Sequence, residues 1–169
     1  GNPLALQRVE RAGHLRVQIA LNKAWGCSAL GMSSGRLARS IEESAGSEFV
    51  RYLTEAVFDP LGMSASSLDG GAAVAGFGGV STVADLAVFA GELLRPVLVS
   101  AEMHAEATSV QFPGRDGVLP GFGVQRPNDW GLGFEIRDSK TPHWTGSANS
   151  PATFGHFGQS GTFLWVDPV

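Results

Sequence analysis

The last sixteen residues constrain this chain more than any other stretch: Phe154-Gly155-His156-Phe157-Gly158-Gln159-Ser160-Gly161-Thr162-Phe163-Leu164-Trp165-Val166-Asp167-Pro168-Val169. Two apolar, aromatic-rich runs flank a short segment punctuated by glycine, which is the pattern of strand, turn, strand. His156 stands at the end of the first run, where a strand meets its turn. Gly158 has no Cβ, so a second backbone or a ligand can come close to it. A strand edge carrying a polar side chain and N–H groups can hold a developing negative charge.

Upstream, the periodicity changes from strand to helix. Leu37, Ala38, Ile41 and Ala45 share one helical face, with Glu42 and Glu43 outside it, and Gly46 is a natural stop. Ser47 is placed to cap a second helix, in which Phe49, Val50, Leu53, Ala56 and Val57 make an apolar stripe. Asp59-Pro60 is expected to end it. Residues 64–80 are rich in Ser, Gly and Ala and read as loop. Thr82 and Asp85 form a capping-box-like start to a third helix, ended by Pro96. Ser100 is placed to cap a short helix through Ala107. Residues 111–129 hold three prolines and four glycines and read as a long irregular connection. Residues 130–136 read as a strand, and Asp138 to Pro151 as a polar loop. Helices first and antiparallel strands after them predict an α+β fold, with helices packed on an antiparallel sheet. Residues 1–35 carry no clean period and are left unassigned, so the organised domain is expected over 36–169.

Composition narrows the partners. A formal net charge of −4, with only Lys23 and Lys140 as lysines, argues against nucleic acid or an anionic membrane surface. No run approaches the ~18 apolar residues of a membrane span. The single cysteine, Cys27, cannot form an internal disulfide, and no metal-ligand cluster surrounds it. His14, His104 and His143 show no ligand spacing, and His104 is expected to be solvated beside Glu102 and Glu106. No cofactor and no metal is expected.

Four motifs in order carry a family resemblance. His-x-Gly-x-x-Gly-Thr-x-Leu-Trp-Val-Asp-Pro, from His156, resembles the third motif of the serine beta-lactamase and penicillin-binding-protein-like hydrolases. It is most similar to the branch of class C beta-lactamases, DD-peptidases and carboxylesterases. Phe58-Asp59-Pro60-Leu61-Gly62-Met63 resembles the family's Pro-Leu-Gly-Met. Gly78-Gly79-Val80-Ser81-Thr82-Val83-Ala84-Asp85-Leu86-Ala87-Val88-Phe89 and Trp130-Gly131-Leu132-Gly133-Phe134 resemble two further stretches. The resemblance implies the C-terminal part of a beta-lactamase/transpeptidase-like domain. That family's fold is considerably longer, so the chain is expected to be a piece of it, with a further strand expected after Val169. The unpaired edge this leaves is expected to favour association.

By resemblance, the chemistry is attack of a serine on an ester or amide carbonyl of a small-molecule or peptide-like substrate. His156 and Gly158 match the substrate-orienting strand, and the N–H of Gln159 is the candidate oxyanion donor. The family's Ser-x-x-Lys nucleophile is absent: Ala20 stands three residues before Lys23, and Arg137 three before Lys140. Ser139-Lys140-Thr141-Pro142 imitates Lys-Thr-Gly, but proline lacks the N–H that such a strand supplies. Met32-Ser33-Ser34-Gly35 lies near the position of the family's Tyr-Ser-Asn-like motif, with Met32 in place of the tyrosine. Two alternatives stay open. One is a non-catalytic binding or scaffold domain of the same fold. The other takes Gly31-Met32-Ser33-Ser34-Gly35 as the nucleophile elbow of an α/β-hydrolase, with Ser33 attacking and Asp138 and His156 following it.

Overall fold

The computed structural model of the chain describes residues 34–158 and 161–169. Residues 1–33 of the unassigned 1–35 segment, Ser33 among them, and Gln159 therefore lie outside the described residues.

Helix α1 (Ser34–Ala45) stops at Gly46, whose φ of 66° is the left-handed conformation a helix end requires. Helix α2 (Phe49–Leu53) follows at once. Ser47 does not cap it: the residue before the helix is Glu48, which makes no side-chain cap, and the Phe49 N–H donates to Glu42 Oε1 at 2.9 Å. A carboxylate from the preceding helix thus satisfies an orphan donor and ties the two helices together. Nor does Asp59-Pro60 end this segment. The helix widens into a π turn over Thr54–Phe58 and continues as α3 (Asp59–Leu61). A wider turn directly before Pro60 gives its ring room and avoids the hydrogen bond that proline cannot donate. The stop comes at Gly62, with φ 67°. There the Gly62 N–H donates to Asp59 O at 3.0 Å and the Met63 N–H to Phe58 O at 2.8 Å. This paired C-terminal bonding explains the Pro-Leu-Gly-Met stretch physically: glycine supplies the turn, and Met63 is then buried beside the helix it closes.

Residues 64–80 are more ordered than the sequence predicts. Strands β1 (Ser67–Leu68) and β2 (Gly79–Val80) pair antiparallel around a 3-10 turn at Gly71–Val74. Helix α4 (Val83–Leu94) begins as expected, with Thr82 Oγ1 accepting from the Asp85 N–H at 3.2 Å. The Asp85 carboxylate turns outward to the preceding loop instead, accepting from the Ala65 N–H at 2.9 Å and Ser66 Oγ at 2.7 Å. Ser100 caps α5 (Ala101–Ala107) through the Met103 N–H. His104 is not solvated between its glutamates. It is half-buried, with Nε2 2.8 Å from Leu93 O and its ring edge-on to Phe154.

The expected irregular connection contains a hairpin, β3 (Gly117–Leu119) with β4 (Gly123–Gln125), turned by Pro120-Gly121. The strand expected over 130–136 is only β5 (Glu135–Ile136), because Gly131 and Gly133 fold the preceding residues into a reversal that bridges Trp130 to Glu135. Gly131 has to lack a side chain: a Cβ there would fall on the carbonyl oxygen of Ala107, whose other contact is the Leu132 N–H at 2.9 Å.

The closing hairpin forms as the sequence predicts. Strand β6 (Phe154–Phe157) pairs with β7 (Phe163–Val166) in the register Phe154 with Val166 and Phe157 with Phe163, and β5 adds to its other side. The sheet order is β5-β6-β7, and every strand pairing among the described residues is antiparallel. Ile136, Phe154 and Val166 are buried against Leu93 of α4, with Phe89, Ala90, Phe134 and Leu164 packed around them. Burying one such side chain contributes about 1.5–3 kcal/mol, so this helix-on-sheet layer is what fixes the position of β6. The architecture is α+β, with helices against antiparallel sheet.

Candidate active site

Strand β6 carries His156 out of the core. Phe154 at its start is 2% exposed, whereas His156 near its end is exposed. The imidazole is nonetheless held. Its Nδ1 lies 2.7 Å from Phe157 O, and a carbonyl only accepts, so Nδ1 carries the proton. Its ring stacks on that of Phe157 at 5.4 Å and 26°, and Trp130 stands edge-on to it at 5.5 Å and 76°.

The turn after β6 continues the ladder. The Gly158 N–H donates to Thr162 O at 2.7 Å, and the Gly161 N–H to Gly158 O at 3.1 Å, with Gly161 at φ 86°. Gly158 thus lies at the end of the sheet and its amide is engaged within the hairpin. The amide assigned to oxyanion binding belongs to Gln159, which is not among the described residues, and neither is Ser33. The structure therefore brings together His156 and Gly158 and leaves the other two sequence-stated positions unplaced. Two clefts among the described residues lie elsewhere: one beside Arg36, Arg39, Ser40 and Glu43, the other of about 480 Å³ between Glu42, Phe49 and the segment Leu68–Ala72.

Behind β6, on the side away from α4, sits a buried ionic cluster that the sequence reading missed. Glu135 is 0% exposed. Its Oε1 lies 3.3 Å from both Lys140 Nζ and His143 Nε2. Lys140 Nζ also donates to Asp129 O at 3.0 Å and to Ile136 O. Burial pulls the Lys140 ammonium below the ordinary lysine range, and the Glu135 carboxylate acts against that pull. The Thr145 N–H donates to His143 Nδ1 at 3.1 Å, which leaves the His143 proton on Nε2, facing Glu135. Lys140, in the stretch that imitates Lys-Thr-Gly, is thus a buried partner of Glu135 and lies outside any strand. The available signal was the scarcity of lysine: one of only two in the chain follows a short strand containing a glutamate.

A second carboxylate, Asp167 of Val-Asp-Pro, accepts from the Ser150 N–H at 2.9 Å, Ser150 Oγ at 2.7 Å and Asn149 Nδ2 at 2.9 Å. Those donors hold its carboxyl well below the usual carboxylate range. Trp144 and Phe122 pack on each other edge-on at 5.4 Å, and Trp144 stacks on Phe157. Among the described residues no group of three or more His, Cys, Asp or Glu is arranged to hold a metal, and no helix is long and apolar enough to cross a membrane.

Comparison with known proteins bears on this geometry. The family model for Beta-lactamase matches residues 4–169. The crystal structure of a beta-lactamase from Mycobacterium bovis is similar at 71% sequence identity and a TM-score of 0.75, over 81% of this chain and 52% of that one. The chain spans about half the length of that solved relative. A search of the curated proteins found no match. On the match over almost its whole length, and on helices set against an antiparallel sheet that ends in His-x-Gly, the chain belongs to the Beta-lactamase family.

Proposed function

We propose that the β6 terminus is the substrate-orienting wall of a serine-hydrolase site that acts on an ester or amide carbonyl, with the nucleophile not supplied by this chain. The observation that supports this reading best is the setting of His156. It is lifted out of the core at the end of a strand that the core fixes, with its ring orientation set by Phe157 and Trp130. The Nδ1–H donates to Phe157 O, which fixes one edge of the ring. In this reading His156 hydrogen-bonds a substrate carboxylate or carbonyl oxygen. Gln159 remains the proposed oxyanion donor, at the position after Gly158 where a backbone N–H would stabilise the tetrahedral intermediate.

Without Ser-x-x-Lys, the chain is expected to form little or no acyl-enzyme. Incubation with nitrocefin, p-nitrophenyl butyrate and a fluorophosphonate probe is expected to give neither a burst nor a covalent label. A label on any serine would show that a nucleophile is present after all.

The missing motif also supports a second reading, a non-catalytic binding or scaffold domain of the same fold. A Ser-x-x-Lys in the coding sequence adjoining this chain rules that reading out. The nucleophile-elbow reading of Ser33 has less support, since it calls for a parallel α/β sheet and the described pairings are antiparallel.

A further inference from the structure

Between β5 and β6 the chain leaves the sheet over residues 137–153 and returns to pair with the strand it left. The stem of this loop is closed by the Arg137 N–H to Thr153 O at 2.7 Å and the Asp138 N–H to Pro151 O at 2.9 Å. Two carboxylates of the sheet segment then pin its body: Glu135 holds Lys140 and His143, and Asp167 holds Asn149 and Ser150. Trp144 lies between the two pins. Its ring is 5.5 Å from that of Phe157 and within 14° of parallel to it, and Phe157 in turn stacks on His156. Trp130 closes the group edge-on against both Phe157 and His156.

We infer that Trp144 is a positioning residue for His156: the doubly pinned 137–153 loop holds Phe157 flat, and the stack passes that constraint to the imidazole. The stack adds to the Nδ1–Phe157 O bond and the Trp130 contact that already restrict the ring's rotamers. Holding the imidazole in one orientation before substrate arrives lowers the cost of binding. Direct contact of Trp144 with the bound carbonyl is not part of this inference, which rests on the acyl-transfer reading of His156.

The test uses the 169-residue chain and N-acetylglycine, a probe with one carboxylate and one amide carbonyl, followed by NMR titration of the His156 ring. Trp144→Leu is expected to weaken probe binding about tenfold, a loss typical of misplacing a contact group, while the cross-strand signals of β6 and β7 persist. Trp144→Phe, which keeps a ring in the stack, is expected to restore it. The double variant Asn149→Ala with Ser150→Ala removes the two side-chain bonds of one pin, leaving only the residue-150 N–H on Asp167, without touching an aromatic ring, and is expected to weaken binding in the same direction. Should Trp144→Leu not fold, this pair decides alone. Affinity unchanged in the folded variants overturns the inference and leaves His156 its role, provided His156→Gln abolishes binding. Binding that survives His156→Gln overturns the acyl-transfer reading itself, and the inference with it.

Discussion

At the scale of single residues, the candidate site depends on side chains absent as much as on those present. A Cβ on Gly155 would run into Leu164 O and the Trp165 indole across the β6–β7 pair. Gly155→Ala is therefore expected to destabilise the fold by about 1–3 kcal/mol, read as a lower denaturant midpoint with an unchanged slope. The Glu135–Lys140 pair makes a sharper case, because both side chains are almost wholly buried. Lys140→Met strands a carboxylate in the interior and is expected to cost about 3–5 kcal/mol. Glu135→Gln combined with Lys140→Met removes both charges and is expected to recover most of that loss. Equal losses in the single and double variants would mean that the pairing matters less than the packing. The motif glycines were legible in the sequence because a recurring pattern marks them. The ionic cluster was not, because nothing local in Glu135, Lys140 or His143 says that a loop will fold back over its own strand.

At the scale of elements, the Val-Asp-Pro stretch joins β7 to the 137–153 loop through Asp167. Its carboxyl is held below its ordinary value, so the unfolded chain takes up the proton first as pH falls. The resulting stability is complete above the unfolded carboxylate value of about 3.9 and is lost progressively as the solution is acidified below it. Thermal melts from neutral pH downward are expected to show a shallower acid decline in Asp167→Asn than in the parent chain. Identical declines would assign the acid sensitivity to other groups. Element types were largely readable: α1, α4, α5 and the β6–β7 hairpin follow from periodicity and from caps such as Thr82 and Ser100. Three stretches depart from what their local pattern predicts. Pro60 was read as a stop, yet a π turn absorbs it. Pro120-Gly121 was read as loop, yet it turns a hairpin. Gly131 and Gly133 broke a strand whose alternation looked continuous. At Gly131 the deciding contact is tertiary, the close approach of Ala107 O, which the local sequence does not reveal.

At the scale of the whole molecule, the sheet among the described residues ends at β7, where Phe163 is 57% exposed. An apolar edge of this kind offers unpaired backbone groups to another chain. Sedimentation of the 169-residue chain is expected to show concentration-dependent association that Phe163→Lys reduces, whereas a monomer at all concentrations would show the edge to be covered. Family membership came from four short motifs in order. The placement of His156 relative to a bound carbonyl did not, because the Ser-x-x-Lys partner of that geometry is not in the sequence. The central claim is that His156 and the turn after it receive the carbonyl and carboxylate of an acyl compound. Mapping amide and imidazole shifts on titration with N-acetylglycine tests it most directly. The expected result is a footprint centred on residues 156–162 and Trp130 that His156→Gln abolishes. A footprint elsewhere, or one that persists in His156→Gln, would contradict it.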